Sequence, residues 1–388
     1  LVTVTTILTN SNKLDLAGGV PYITSLASSV PTAANIDYYS KIVEEKALLR
    51  RLIQTATDIV TESFNKEDDV EELLDEAERS ILAVSSRKNA NEFKPIKDVL
   101  IEVYDNIEKL HHAKDDVTGI PTGFRDLDRI TSGFQKSDLI IIAARPSMGK
   151  TAFALNIAQN VAINTDENVA IFSLEMGAEQ LVQRMLCAEG NIDSQRLRTG
   201  KLEQEDWGKL TMAMGSLSHA GIYIDDSPGI RVSDIRSKCR RLKQEHGLGM
   251  IIIDYLQLIQ GSERARENRQ QEVSEISRSL KSLARELEVP VIALSQLSRS
   301  VESRQDKRPM MSDLRESGSI EHDADIVGFL YREDYYDKES ENQNIEIIIS
   351  KQRNGPTGTV ELAFVKEFNK FVDLDFRYDE EDVPPIPV

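Results

Sequence analysis

From Asp138 onward the chain carries a succession of short, nearly uninterrupted apolar runs: "DLIIIAA", "NVAIFSL", "GIYIDD", "GMIIIDY", "PVIALSQ", "ADIVGFLY" and "IEIIISK". A strand with one wet face alternates apolar and polar residues. Runs that are apolar at almost every position therefore predict strands buried on both faces. Helical stretches separate them, and strands alternating with helices predict an α/β domain on a mostly parallel sheet. The pattern sets in near Thr118, so residues 118–388 are read as one α/β domain.

The first run leads into "ARPSMGKTAF" and then into "ALNIAQNVA", with Phe153, Ile157 and Val161 on one helical face. This is the strand–loop–helix setting that a phosphate-binding loop, G-x-x-x-x-G-K-[ST], needs. Ala144 stands where the first glycine is expected. That glycine serves the turn leaving the strand, and alanine is the least demanding replacement if φ stays negative there. Ala144, Arg145, Pro146, Ser147, Met148, Gly149, Lys150 and Thr151 are thus the candidate nucleotide-binding residues. In such a loop backbone N–H groups point at phosphate oxygens, helped by the helix N-terminus. Gly149 permits close approach, Lys150 would reach the β- and γ-phosphates, and Thr151 would ligand Mg²⁺.

Phosphoryl transfer also calls for an acid near the metal. Asp254 ends the run "GMIIID", and strand ends are where open α/β sheets bind ligands. Glu175 follows "VAIFSL" and suits a general base that orients water onto the γ-phosphate. Gln296 ends "VIALSQ"; a neutral amide there can sense the γ-phosphate without competing for metal. Each also has a plainer reading, as a polar residue that ends a strand.

With 388 residues the chain exceeds the usual size of a single core, so two domains are expected. The net charge of −18 argues against nucleic-acid binding by the whole surface; basic groups for that purpose must sit locally, in a groove or channel. Cys187 and Cys239 lie far apart and no C-x-x-C occurs, which fits a reduced, cytoplasmic setting without structural zinc or disulfides. No apolar run reaches the length of a membrane span, and no signal peptide is expected. The first residue is Leu1 rather than Met, so an N-terminal part is expected to be absent.

Residues 1–90 show no strand alternation and are expected to form a small helical domain. Residues 36–64 read as one long helix, with Ile42, Leu49, Ile53, Ile59 and Val60 at helical spacing. A second helix is expected at 69–84, capped by Asp69. A polar stretch at 85–93 reads as linker. Within 91–117 an amphipathic helix carries Ile96, Leu100, Val103, Ile107 and Leu110 on one face. It packs either on its own chain or on a neighbouring subunit. His111 and His112 at its end read as solvated. The acidic, proline-containing end "YDEEDVPPIPV" is expected to be disordered.

The ordered set "TGIPTGFRDLDRITSGFQKSDLIIIAARPSMGKTAFALNIA", "FSLEMG", "IIIDYLQLI", "ALSQLSRSVESR", "DLRESGSIEHDAD" and "KQRNGPTGT" resembles the motor motifs of the bacterial replicative DNA helicases, the DnaB family. The segment "GGVPYITSLASSVPTAANIDYYSKIVEEKALLRRLI" resembles the later part of that family's helical N-terminal domain, whose early helices are missing from the chain. Alanine at the Ala144 position is common in the family. The resemblance implies a RecA-like P-loop motor, a homohexameric ring, ATP hydrolysis with Mg²⁺, and movement 5′ to 3′ on single-stranded DNA. It implies the roles just given for Lys150, Thr151, Glu175, Asp254 and Gln296. It also implies that Lys351 and Arg353, in "SKQRNGP", reach the γ-phosphate of the next subunit's site, as an arginine finger does. Without the family, that segment reads as a basic hairpin turn at N-G-P. Primase and a helicase loader are the implied partners, and no membrane is.

Two loops are candidates for lining a central channel. "RPMMSDLRESGSIEHD" matches the family's DNA-binding loop at Arg315, Glu316 and Gly318. "GSERARENRQ" carries Arg264, Arg266 and Arg269, and reads equally well as a solvated loop. Neither is rich in aromatics, so backbone contact rather than base stacking is expected. Two rivals remain at this point: a RecA-type strand-exchange ATPase, and a RecA-like signalling ATPase with no DNA role.

Overall fold

The computed structural model describes residues 2–11, 13–29, 36–65, 73, 77, 80, 81, 84, 96–112, 117–261, 269–314, 318–336 and 344–374. The chain divides into two compact units, Leu1–Ile107 and Glu108–Val388.

The described elements of the first unit are all helices, Val2–Asn10, Gly19–Ser29 and Ile36–Asn65, with a turn at 14–18 between the first two. The long helix lies where the apolar spacing puts it. Its stripe residues Ile42, Leu49, Ile53 and Val60 are nevertheless exposed, and Ile23 is the buried apolar residue among those described in this unit. The helix Ile96–His112 crosses the division between the units and leaves Ile96, Leu100, Val103 and Ile107 exposed. The linker at 85–93 and the acidic tail lie outside the described residues. So does the helix expected at 69–84, apart from a few helical positions.

The second unit is built on a sheet of β1 Leu139–Ala144, β2 Val169–Ser173, β3 Ile222–Asp225, β4 Met250–Asp254, β5 Val291–Gln296, β6 Ile326–Arg332, β7 Asn344–Gln352, β8 Gly358–Val365 and β9 Lys370–Asp373. Among the described residues these form a 9-stranded sheet in the order β3-β2-β4-β5-β1-β6-β7-β8-β9. From β3 through β6 every pairing is parallel. From β6 onward the chain meanders antiparallel. Every apolar run is a strand; β8 and β9 were not anticipated.

All of β1 is buried because helices cover both faces of the sheet. Successive side chains of a strand point to opposite faces. Ile140, Ile142 and Ala144 enter one core with Phe153, Ile157 and Val161 of the helix Lys150–Asn164. Leu139, Ile141 and Ala143 enter the other, against Val273, Ile276, Leu280 and Leu283 of the helix Arg269–Leu287. Polar ends therefore fall at the rims of the sheet, where a site can form. Cys187 and Cys239 are free and buried, and burial pushes their thiols up to about 11 and about 12.

Asp138 sits just before β1. Burial, reinforced by Asp325, pushes its carboxyl up to about 6, while Lys281 and Arg353 pull the other way. The folded state thus holds this proton more tightly than the unfolded chain does. The stability tied to it is present at low pH and is lost as pH rises from the ordinary 3.8 through about 6. Asp138→Asn is expected to raise the melting temperature at pH 8 and to bring no gain near pH 4, read by thermal denaturation across pH. Equal shifts at both ends would contradict the buried-carboxyl account.

Candidate active site

Ala144 ends β1 and has none of the positive φ that would demand glycine, so alanine fits there. The loop after it turns through two left-handed residues, Ser147 at φ 65° and Gly149 at φ 95°. Gly149 caps the helix Lys150–Asn164, and a Cβ on it would meet Phe371 Cζ at 3.3 Å. Such alternating backbone handedness gathers N–H groups into a concave anion nest at a helix N-terminus. Met148 is buried. The Arg145 side chain turns away from the loop's mouth; its guanidinium donates to the Leu297 carbonyl and pairs with Glu302. Arg145 therefore offers the cleft its backbone and not its charge.

The cleft measures about 480 Å³ and is lined by the loop together with Glu175, Tyr255 and Gln296. That is a size suited to a nucleotide-like ligand. Lys150 lies 4.8 Å above the Tyr255 ring. Burial pushes its amine below the usual lysine range, and Asp254 and Glu175 pull it back up. A cation desolvated in this way gains strongly from an incoming phosphate.

The Thr151 hydroxyl donates to Asp254 Oδ2 at 2.6 Å. Asp254 is buried, and its Oδ1 has no hydrogen-bond partner among the described residues. A buried carboxylate oxygen without a donor is costly unless something fills the role. A hydroxyl beside a carboxylate, both hard oxygen donors, fits Mg²⁺, which is typically held by one or two protein oxygens plus phosphates. Glu175 follows β2, exposed on the wall of the cleft. Gln296 is in register with Ala144 across the β1–β5 pair, which sets it beside the loop.

Several cleft residues were not singled out from the sequence. Phe364, Lys366 and Asn369 come from the β8–β9 hairpin, and Arg184 from the helix Ala178–Gly190. Their signal was the alternation Val360, Leu362, Phe364, which reads as a half-buried strand. Gln257 was also passed over. Its amide donates to the Ser295 hydroxyl at 2.9 Å and lies 3.4 Å from the Gln296 carbonyl.

The remaining candidates lie elsewhere. Lys351 pairs with Val327 at the start of β6, and Arg353 N–H donates to the Asp325 carbonyl. Both therefore sit beside the N-terminal end of β1, whereas the phosphate loop leaves its C-terminal end. A strand of 6 residues separates these rims by roughly 20 Å. Arg269 opens its helix, bonded to Glu272 and to the Gln257 carbonyl. Gly318 opens the helix Gly318–Asp323. Arg264, Arg266, Arg315 and Glu316 lie outside the described residues.

Known proteins resemble this chain over nearly its full length. The model of the DnaB-like helicase C terminal domain matches residues 119–373, and that of the DnaB-like helicase N terminal domain matches residues 1–45. The chain is 74% identical over 386 residues to the replicative DNA helicase DnaC of Bacillus subtilis (strain 168), covering 99% of this chain and 85% of that protein. It is 73% identical, with the same coverage, to the replicative DNA helicase DnaB of Geobacillus stearothermophilus. Among solved structures, a DnaB-like replicative helicase described with its interactions with primase superposes with a TM-score of 0.77 at 44% identity, covering 96% of this chain and 87% of that one. A second solved structure, described as an ATPase domain, superposes with a TM-score of 0.70 at 50% identity, covering 73% of this chain and 100% of that one. Family models across both units, near-full-length relatives and a nucleotide-type cleft at the strand ends agree: the chain belongs to the DnaB-like replicative DNA helicase family.

Proposed function

We propose that the cleft binds ATP with Mg²⁺ and that its hydrolysis drives the chain, as a ring-shaped homohexamer in the cytoplasm, 5′ to 3′ along single-stranded DNA. The observation that carries this reading is the Thr151–Asp254 hydrogen bond, with an unpartnered Asp254 oxygen in the same cleft as the half-buried Lys150. In this reading the nest of Ala144–Thr151 takes the phosphates and Lys150 neutralises their charge. Thr151 and Asp254 hold Mg²⁺, which when bound offsets charge on the phosphates. Glu175 orients and deprotonates the attacking water. Gln296 senses the γ-phosphate, and Gln257 steadies Gln296 through its backbone.

Lys351 and Arg353 are assigned to the neighbouring subunit's site. Their place at the rim opposite their own phosphate loop supports action in trans, because no side chain spans a strand's length. The exposed apolar residues of Ile36–Asn65 and Ile96–His112 support assembly with further copies. Arg315, Glu316 and Gly318, with Arg264, Arg266 and Arg269, are assigned to the DNA strand. Primase is the proposed partner by likeness to the solved helicase described with its interactions with primase, and a loader by family resemblance; no described helix is long and apolar enough to cross a membrane.

The test is strand separation on a forked duplex with each tail removed in turn. Loss of unwinding without the 5′ tail and its retention without the 3′ tail is expected; the reverse sinks the polarity. A second test addresses DNA contact. Arg315→Ala is expected to weaken binding to poly-dT and to mixed sequences alike, since phosphate contacts carry no sequence information. It should also flatten the slope of log affinity against log salt by roughly 0.7. Fluorescence anisotropy across a salt series reads both. An unchanged slope in a variant that still assembles removes Arg315 from the strand and shifts the assignment to Arg264, Arg266 and Arg269.

A further inference from the structure

The turn after β7 carries two cations, and both are held by one short element of the same chain. Lys351 Nζ donates to the carbonyls of Glu321 and Ala324, the latter at 2.7 Å, and lies 3.4 Å from that of His322. Arg353 Nη2 donates to the His322 carbonyl at 2.6 Å. These acceptors lie at and just past the end of the helix Gly318–Asp323, where carbonyls lack intrahelical partners and the helix dipole favours positive charge.

Asp325, two residues past that helix, completes the arrangement. It is buried, and its Oδ1 lies 3.5 Å from Arg353 Nε. Its Oδ2 accepts from the Leu139 N–H at 2.8 Å and from Lys281. Its own N–H donates to the Leu139 carbonyl at 2.9 Å. One carboxylate thus ties Arg353 to the first residue of the central strand. The turn has another anchor, since Gln352 donates to the Ile130 carbonyl at 3.2 Å, so holding the turn does not require two cations. Arg353 is 44% exposed despite these contacts, and its head remains available at the surface.

We infer that Asp325 and the last carbonyls of the helix Gly318–Asp323 form a cradle that sets where Lys351 and Arg353 point, and so governs hydrolysis in the neighbouring subunit's cleft. This rests on the proposal that the two cations act in trans. Asp325 is a positioning residue, since it is buried and acts through Arg353. The helix has 6 residues and is about 9 Å long. Gly318, assigned to the DNA strand, is its first residue. The strand contact and the cation cradle are therefore the two ends of one rigid piece. A shift at one end moves the carbonyls that hold Lys351 and Arg353, which gives DNA a short mechanical route to the neighbour's γ-phosphate.

The test uses full-length chains and ATP turnover with and without poly-dT. Asp325→Asn keeps the acceptor for Leu139 but removes the charge that faces the Arg353 guanidinium. It is expected to lower the DNA-stimulated kcat by about 10–100-fold with the KM for ATP unchanged, the cost of a misplaced group rather than of lost binding. If Lys281, left without its counter-charge, prevents assembly, Asp325→Asn with Lys281→Met removes both charges and replaces it. The variant is then mixed with Lys150→Ala chains and, separately, with Arg353→Ala chains. In randomly mixed rings roughly one interface in four joins an intact loop to an intact cradle in the first mixture. Recovery with Lys150→Ala and none with Arg353→Ala places Asp325 on the donating side of the interface, as inferred. Normal DNA-stimulated turnover in Asp325→Asn overturns the cradle. So does failure to recover with Lys150→Ala while Arg353→Ala does recover with it. If Arg353→Ala itself fails to recover with Lys150→Ala, action in trans falls, and the cradle falls with it.

Discussion

Glu175→Gln is expected to bind ATP as tightly as the parent and to turn it over about 10²–10⁴-fold more slowly. The substitution keeps the size and polarity of the side chain and removes only the ability to take a proton. Glu175 stands on the cleft wall after β2, exposed to water, while Lys150 and the Thr151–Asp254 pair occupy the loop's mouth. Binding and chemistry are thus divided between different residues. Lys150→Ala is the converse case. It removes the half-buried cation proposed to meet the phosphates, so affinity and turnover should both fail. Equilibrium binding of a fluorescent ATP analogue beside steady-state hydrolysis separates the two. Glu175→Gln retaining more than about a tenth of normal turnover removes it as the base.

Arg353→Ala is expected to lower hydrolysis by about 10³-fold or more, the scale on which arginine fingers act, with ATP still bound. Arg353 lies beside Asp325 at the start of the central strands, at the wrong rim to reach its own loop. The effect should therefore depend on assembly. Mixed with Lys150→Ala chains, Arg353→Ala chains should regain part of their turnover, because some interfaces then join an intact loop to an intact finger. Coordinates with bound nucleotide in which Arg353 enters its own subunit's cleft would refute the assignment.

Much of the motor was readable from local sequence. β1 to β7 stand out because strands covered on both faces need apolar residues at nearly every position, and the loop's residues are contiguous. β8 and β9 escaped notice because they pair antiparallel near the sheet edge, where polar residues interrupt the apolar ones. With them went Phe364, Lys366 and Asn369, which only the β7–β8–β9 pairing brings to the cleft. Arg145 shows a different limit. A motif fixes its backbone role, but a glutamate 157 positions away decides where the charge goes. For Lys351 and Arg353 the basic turn was visible, but its rim depends on the register between β6 and β7. In the helical unit the apolar spacing located Ile36–Asn65 correctly, yet it gave no sign that Leu49 and Ile53 stay uncovered within one chain.

Hydrolysis in this cleft is proposed to drive strand separation. Its most direct test follows ATP turnover and unwinding of a forked duplex in the same reaction, for the parent and for Glu175→Gln. Both rates are expected to fall together, by a similar factor, while ATP stays bound. Unwinding that persists at the parent's rate when turnover has gone would contradict it.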